Sequence, residues 1–376
     1  MRIGTRTAVS GSVLILALWV LFSLAALTIA TASRVMALLS AAERLGQRAQ
    51  ARAQGWAGAA LAVAVISEEY DRNPGQGTNS VSGIGTNSVS GTGTNSASGW
   101  DGLQSKSFNR DADKFKVLFS PDGRDTVIRI GYETTSADGK SVTNSGVLGE
   151  ESRVNLNVAS SNLLAAIIRK TAELEPADAE TLAAAILQRR DGGDAVLTAG
   201  TGNGYYSPEK VPSPEAGMPL RKLEELLLIP GMNVELVKRI QPYVTVFGSG
   251  RINLNAASAV VLEVLGDAST GGVPAGEGAA ASLADKIARF REAGNAFERP
   301  VFLEIRMALE RFEPLTSDEG AVLTAMASGL DVRSTAFGGT VYAGGSPEAG
   351  DDDDLAGLVD FVWDAEERSY VMWRER

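Results

Sequence analysis

The chain has 376 residues, enough for more than one domain, with a formal net charge of -11 and a pI of about 4.8. It contains neither Cys nor His, which excludes disulfides, thiol nucleophiles, imidazole bases and the usual zinc ligands. An acidic chain gains little from counterion release on nucleic acid, and neither a G-x-S-x-G nor an H-E-x-x-H motif is present.

Thr7 to Ser33 is a run of 27 residues without a charge. About 20 apolar residues suffice to cross the hydrocarbon of a bilayer, so residues 12–33 read as a transmembrane helix. Arg2 and Arg6 precede the run, which predicts a cytoplasmic N-terminus and a body on the far side of the membrane. A cleaved secretory signal has a shorter apolar stretch, and its only candidate site here is Ala30–Ala32. From Arg34 to about residue 72 the chain is rich in Ala, Leu, Arg and Gln and free of Pro, so the helix continues past the membrane. The first 60 residues carry six Arg against Glu43 alone, which leaves a net -16 on the rest.

Residues 73–110 include an eight-residue repeat, TNSVSGIG, TNSVSGTG and TNSASGWD, whose Gly, Ser, Thr and Asn cannot bury a core; a loop is expected. Residues 111–149 alternate apolar and polar positions between PDG and ADG turns, as in a short antiparallel meander needing a helix across one face.

Residues 150–329 read as helical and internally duplicated, in units of about 150–250 and 251–329. Val154–Ile167 matches Ile252–Leu265, Ala185–Asp194 matches Lys286–Asn295, and Met218–Ile229 matches Arg299–Glu310 more loosely. In each copy an N-L-N triplet, Asn155 and Asn157 or Asn253 and Asn255, precedes a helix. Asx turns and caps account for these residues without any catalytic role. Leu226 to Ile240 reads as two helices around a PG turn. This is a helix-hairpin-helix pattern, but only Lys238 and Arg239 follow the turn, so packing explains it better than phosphate binding. The acidic pairs Glu68–Glu69, Glu150–Glu151 and Glu224–Glu225 read as surface charges, because neighbours on a helix diverge. Residues 330–376 return to strand, with a three-stranded sheet expected. The acidic run Asp351, Asp352, Asp353 and Asp354 reads as a solvated loop and is a weak candidate for a hard cation.

Taken together, these features resemble the K-type minor pseudopilin of the type II secretion system. The resemblance rests on Gly11–Leu21, Glu150–Ser160, the Tyr205–Tyr206 pair, Leu223–Met232 and Tyr243–Ser258, in the family's order. It implies an α+β, pilin-like fold: a long N-terminal transmembrane helix on a small antiparallel sheet, with a large inserted all-α domain of helix-hairpin-helix or SAM-like units. It implies a leader of residues 1–11, cut by prepilin peptidase between Gly11 and Ser12, although Ser12 stands where an apolar residue is usual. Leu16 falls where most pilin-like proteins carry Glu, and the K type is known for lacking it. The resemblance further implies a non-enzymatic, single-pass inner-membrane protein with a periplasmic body. That protein starts a filament with I- and J-type minor pseudopilins and works with inner-membrane secretion components. No cofactor is required, and calcium is the one ion the resemblance allows. The competing reading is a membrane-anchored helix-hairpin-helix DNA-binding protein of a competence-type system, which the acidic body disfavours.

Overall fold

The computed structural model describes residues 10–72, 116–119, 126–135, 141–192, 217–271, 276, 278–344 and 356–376. The chain divides into two compact units, residues 1–56 and 57–376.

The described residues of the first unit are helix. Helix α1 begins at Ser10 and is continuous to Arg72, so its last turns belong to the second unit. Its N-terminal stretch has the length and apolarity of a membrane span and buries none of it within the protein. The Thr28 and Thr31 hydroxyls do not oppose burial in lipid, because both bond back to their own helix. Thr28 Oγ1 donates to Leu24 O at 2.7 Å and Thr31 Oγ1 to Leu27 O at 2.9 Å.

In the second unit the rest of α1 turns one face to a sheet. Ala59, Ala62 and Ile66 are fully buried, at helical spacing, against Ile128, Ile130, Val341 and Phe361. Gly58 permits the close approach: a Cβ there would lie 2.9 Å from Ile128 Cγ2 and nearer still to Val341. The sheet has seven strands: β1 (Lys116–Phe119), β2 (Thr126–Thr135), β3 (Ser141–Ser145), β4 (Leu148–Gly149), β9 (Ala336–Gly344), β10 (Ala356–Asp364) and β11 (Ser369–Glu375). Every pairing in it is antiparallel, in the order β1-β2-β9-β10-β11, with β3 on β2 and β4 on β9.

The expected meander and the expected C-terminal sheet are thus one sheet. Strand β9 lies between β2 and β10, setting Ile130 beside Val341. The physical reason is the apolar face: Ile128 and Ile130 alone cannot cover α1, and Phe337, Val341, Val359 and Phe361 complete that face at the two-residue period of a strand.

Between β4 and β9 the chain makes a helical body. Its elements are β5 (Val154–Asn155), α2 (Ser161–Ala172), α3 (Pro176–Asp191), α4 (Val234–Ile240), β6 (Val244–Thr245), β7 (Ile252–Asn253), α5 (Ala259–Thr270), α6 (Ala279–Glu292), α7 (Phe302–Phe312), α8 (Ser317–Met326) and β8 (Leu330–Asp331). One continuous core runs from Val154 to Val332. Two short parallel pairs tie its ends, β5 with β6 and β7 with β8. Leu330–Asp331 therefore pairs within the body, not with the C-terminal strands. The hairpin also differs from expectation, since Leu223–Leu228 is a 3-10 helix, with Gly231 turning the chain at φ +89 before α4.

Candidate functional sites: the anchor, the asparagine turns and the joint

Gly11 and Ser12 lie in the first turn of α1. Leu16 follows among exposed apolar side chains and is 66% exposed, as are Trp19 at 68% and Phe22 at 72%. Apolar surface on this scale is unstable in water and calls for lipid or another helix.

The two N-L-N triplets build the same turn twice. Asn155 Oδ1 accepts from the Asn157 amide at 2.9 Å, and Asn253 Oδ1 accepts from the Asn255 amide at 2.9 Å. Asn157 then takes three bonds at once: Nδ2 donates to Leu220 O and Val246 O, and Oδ1 accepts from the Leu220 amide. Asn255 repeats them with Phe297 O, Val332 O and the Phe297 amide. Ser160 and Ser258 cap the following helices through the Leu163 and Val261 amides. The first Asn of each triplet differs in its reach. Asn155 Nδ2 donates to the carbonyls of Phe247 and Gly248, whereas Asn253 Nδ2 donates to Ser334 Oγ. These amides saturate main-chain groups that burial would otherwise leave bare.

Phe297 corrects the loose match of Met218–Ile229 with Arg299–Glu310. That alignment sets Leu220 on Val301, yet it is Phe297 that makes the Leu220 hydrogen bonds. A run of apolar residues on a helix matches itself at several offsets, so its pattern does not define register.

Two arginines complete the turns, and sequence reasoning passed over both. Arg190 donates to Leu156 O and Ala159 O, while Arg291 donates to Leu254 O and Ala257 O. The signal was available, since the two occupy the same column of Ala185–Asp194 and Lys286–Asn295.

Glu150 and Glu151 are not surface charges. Both are 2% exposed, in the 3-10 turn Glu150–Ser152 where the chain passes from sheet to body. Glu150 accepts from Arg153 and from the Thr245 hydroxyl. Glu151 Oε1 accepts from Thr335 Oγ1 at 2.7 Å and the Ser249 amide at 3.1 Å, and its Oε2 from the Ala336 amide at 3.4 Å. Burial pushes the Glu151 carboxyl above the usual range, against the pull of these hydrogen bonds. Of the other pairs, Glu224 meets Arg374 and Glu225 meets Arg189 at 3.2 Å. Both carboxylates of the turn, Glu150 and Glu151, are thus engaged by groups from distant parts of the chain.

The hairpin surface is poor for phosphates. Lys238 and Arg239 are exposed, but Arg239 already lies 3.4 Å from Glu235, and the turn itself exposes Leu227, Leu228 and Val234. Asp351, Asp352, Asp353 and Asp354 lie outside the described residues, as do the repeats and Tyr205–Tyr206. Among the described residues no group of three or more acidic side chains could hold a metal.

Residues 152–249 match the family model of type II secretion system protein K. That span contains the first asparagine turn, the hairpin and β6, and over it the chain carries the protein K pattern. No curated protein matches the chain. Among solved structures the chain is similar to one from the GspK-GspI-GspJ complex of the enterotoxigenic Escherichia coli type 2 secretion system. The TM-score is 0.52 and the identity 15%, over 89% of this chain and 98% of that one. The likeness shows a shared fold: an N-terminal apolar helix, an antiparallel sheet and a helical body.

Proposed function

We propose that this chain is a K-type minor pseudopilin that starts the type II secretion pseudopilus from its tip. The observation that carries the proposal is the protein K match over residues 152–249, in a chain whose fold follows a subunit of the GspK-GspI-GspJ complex. On this reading the protein is a single-pass inner-membrane subunit, N-terminus inside and body in the periplasm, which the apolar run behind Arg2 and Arg6 supports. Its partners are the I- and J-type minor pseudopilins, packed chiefly helix against helix, together with the inner-membrane secretion components. Prepilin peptidase cuts between Gly11 and Ser12.

Leu16 supports the tip assignment. A carboxylate at that position in other subunits neutralises the terminal amine of the subunit ahead; the first subunit has none ahead, and a lone buried carboxylate would be costly. The helical body is read as two related units of helix-hairpin-helix or SAM-like type. The hydrogen bonds shared by Asn157 with Asn255, and by Arg190 with Arg291, support that reading. A body of this size fits a filament end, where it meets no copies of itself. The subunit has a structural task and no catalytic one, and any calcium it holds is structural.

The test is co-expression of the full chain with the I- and J-type pseudopilins of the same cell, followed by detergent extraction and affinity capture. Recovery of all three in one complex supports the proposal; capture of this chain alone, with the other two present in the membrane, sinks it. A gel shift with duplex DNA at low salt addresses the competence-type alternative, and no shift is expected from the acidic body.

A further inference from the structure

Beyond its apolar run, α1 carries an ordered seam. Arg34, Leu38, Ala41, Leu45, Arg48 and Arg52 follow one another at alternating steps of four and three residues, and the alternation runs on through Gly55 to Ala59, Ala62 and Ile66. That spacing keeps one face of a helix toward a single neighbour. From Ala59 onward the neighbour is the sheet, which buries those side chains. From Arg34 to Arg48 the seam belongs to the first unit and is exposed, Leu38 and Leu45 included.

The charge on this seam has one sign. Arg34 and Arg48 lie on it, and Arg44 flanks it one turn before Arg48. All three are exposed, and among the described residues none of the three meets an acid. Glu43 is the one acid of the first 60 residues, and its place in the sequence sets it about 180° round the helix from Arg34. Arg52 already makes an interaction of its own and carries no weight here.

A second copy of this chain does not fit the seam, because Arg would face Arg across a parallel pair. An anionic bilayer does not fit it either. On a helix whose uncharged stretch ends at Ser33, Arg34 stands at the membrane surface, and Arg44 and Arg48 lie about 15 Å and about 21 Å farther along the axis. At physiological ionic strength a surface charge is screened over about 8 Å. A helix with apolar side chains against Leu38 and Leu45, and carboxylates against Arg34 and against Arg44 with Arg48, answers both halves of the pattern.

We propose that this seam docks a partner helix bearing a matching row of carboxylates, level with Arg34 and again with Arg44 and Arg48. The leucines supply contact and the arginines supply choice. An apolar helix without acids would leave guanidinium groups unpaired in the interface, and a basic helix would repel them. That the partner is a neighbouring pseudopilin rests on the secretion reading; the chemistry of the seam does not.

The experiment places the photo-crosslinker p-benzoylphenylalanine at Leu45 or Ala41, on the seam, or at Glu43, on the far side, in the full chain in its own cell membranes. Adducts are identified by mass spectrometry. The seam positions should give an adduct with a helix of another protein that carries Asp or Glu within a turn of the cross-linked residue, and Glu43 should give little of it. Arg44→Glu with Arg48→Glu should cut the seam adduct at least about tenfold, whereas Arg44→Lys with Arg48→Lys should keep most of it. No adduct at either seam position, equal adducts from the seam and Glu43, or an undiminished adduct in the double Glu variant would each overturn the seam. So would a seam adduct with lipid, with a second copy of this chain or with a helix lacking acids. An adduct with an acidic helix of a protein that is not a pseudopilin would uphold the seam and sink the secretion reading. Should the double Glu variant fail to insert, the contrast between the seam and Glu43 and the sequence of the adduct still decide the matter.

Discussion

Arg190 and Arg291 do the same thing in two parts of one body: each spends a single guanidinium nitrogen on two carbonyls of the turn that follows an asparagine triplet. The carbonyls belong to the residue between the two asparagines and to the residue before the capping serine. The turn, its cap and its arginine are therefore one hydrogen-bonded unit, and predictions about it can be made in pairs.

Removing the arginine should open the turn without emptying the core. Arg291→Met leaves two carbonyls unsatisfied, and a loss of about 1–3 kcal/mol is expected in chemical denaturation. Arg291→Lys should recover only part of it, because the ammonium is more strongly hydrated and less readily buried beside both carbonyls than the guanidinium nitrogen. The matching changes at Arg190 should behave alike.

The second asparagine of each triplet should be the more sensitive to charge. Asn255→Asp keeps the acceptor for the Phe297 amide but turns the donor toward Phe297 O and Val332 O into a repelling oxygen. Thermal unfolding should show a loss of about 2–4 kcal/mol, and Asn157→Asp should match it. Equal stability of either variant would mean that water replaces the amide.

Lys286 and Glu319 form a buried pair, at 2.8 Å, beneath the capping box that Glu319 makes with Thr316. Burial alone would raise the Glu319 carboxyl, but hydrogen bonds from Lys286 and Ser282 outweigh it and hold it down at about 2. Its stabilising share is therefore present above the ordinary 4.5 and fades as pH falls toward about 2. Glu319→Gln should flatten that acid branch in a pH series of unfolding midpoints. Lys286→Met strands the carboxylate and should cost about 3–5 kcal/mol near neutrality.

Gly58 sets how near α1 lies to the sheet. Gly58→Leu must push Ile128 or Val341 aside, and a loss of about 1–3 kcal/mol is expected, with near-ultraviolet dichroism reporting the disturbed sheet face. Gly46→Leu, on a stretch of α1 where a Cβ meets nothing within 4 Å, is the matched control and should be silent.

The proposed tip role makes Leu16 a test of assembly rather than of folding. Leu16→Glu should leave membrane insertion intact, yet reduce export of secreted proteins when it replaces the native copy in the cell. Leu16→Ile should export normally. Full export by Leu16→Glu would detach this position from the tip role.

What was legible from composition and pattern was the part governed by local rules. The apolar run from Thr7 to Ser33 needs only length and absence of charge to specify a span. The N-L-N triplets needed only their turn chemistry, and the Ser160 and Ser258 caps follow from spacing. The pairing of β9 with β2 was not legible, because Val127 and its partner Gly344 lie 217 residues apart in the chain, and alternation names a strand's faces without naming its neighbour.

The sequence by itself determined the anchor, the helical spine, the two asparagine turns and the likeness to protein K, since each is written in residues close together in the chain. Only the tertiary structure decided that one sheet unites the two strand regions, that Phe297 rather than Val301 answers Leu220, and that Glu150 and Glu151 are buried. Whether a carboxylate faces water or the joint depends on which distant main-chain groups close over it, here Ser249 and Ala336, and no local pattern of residues carries that information.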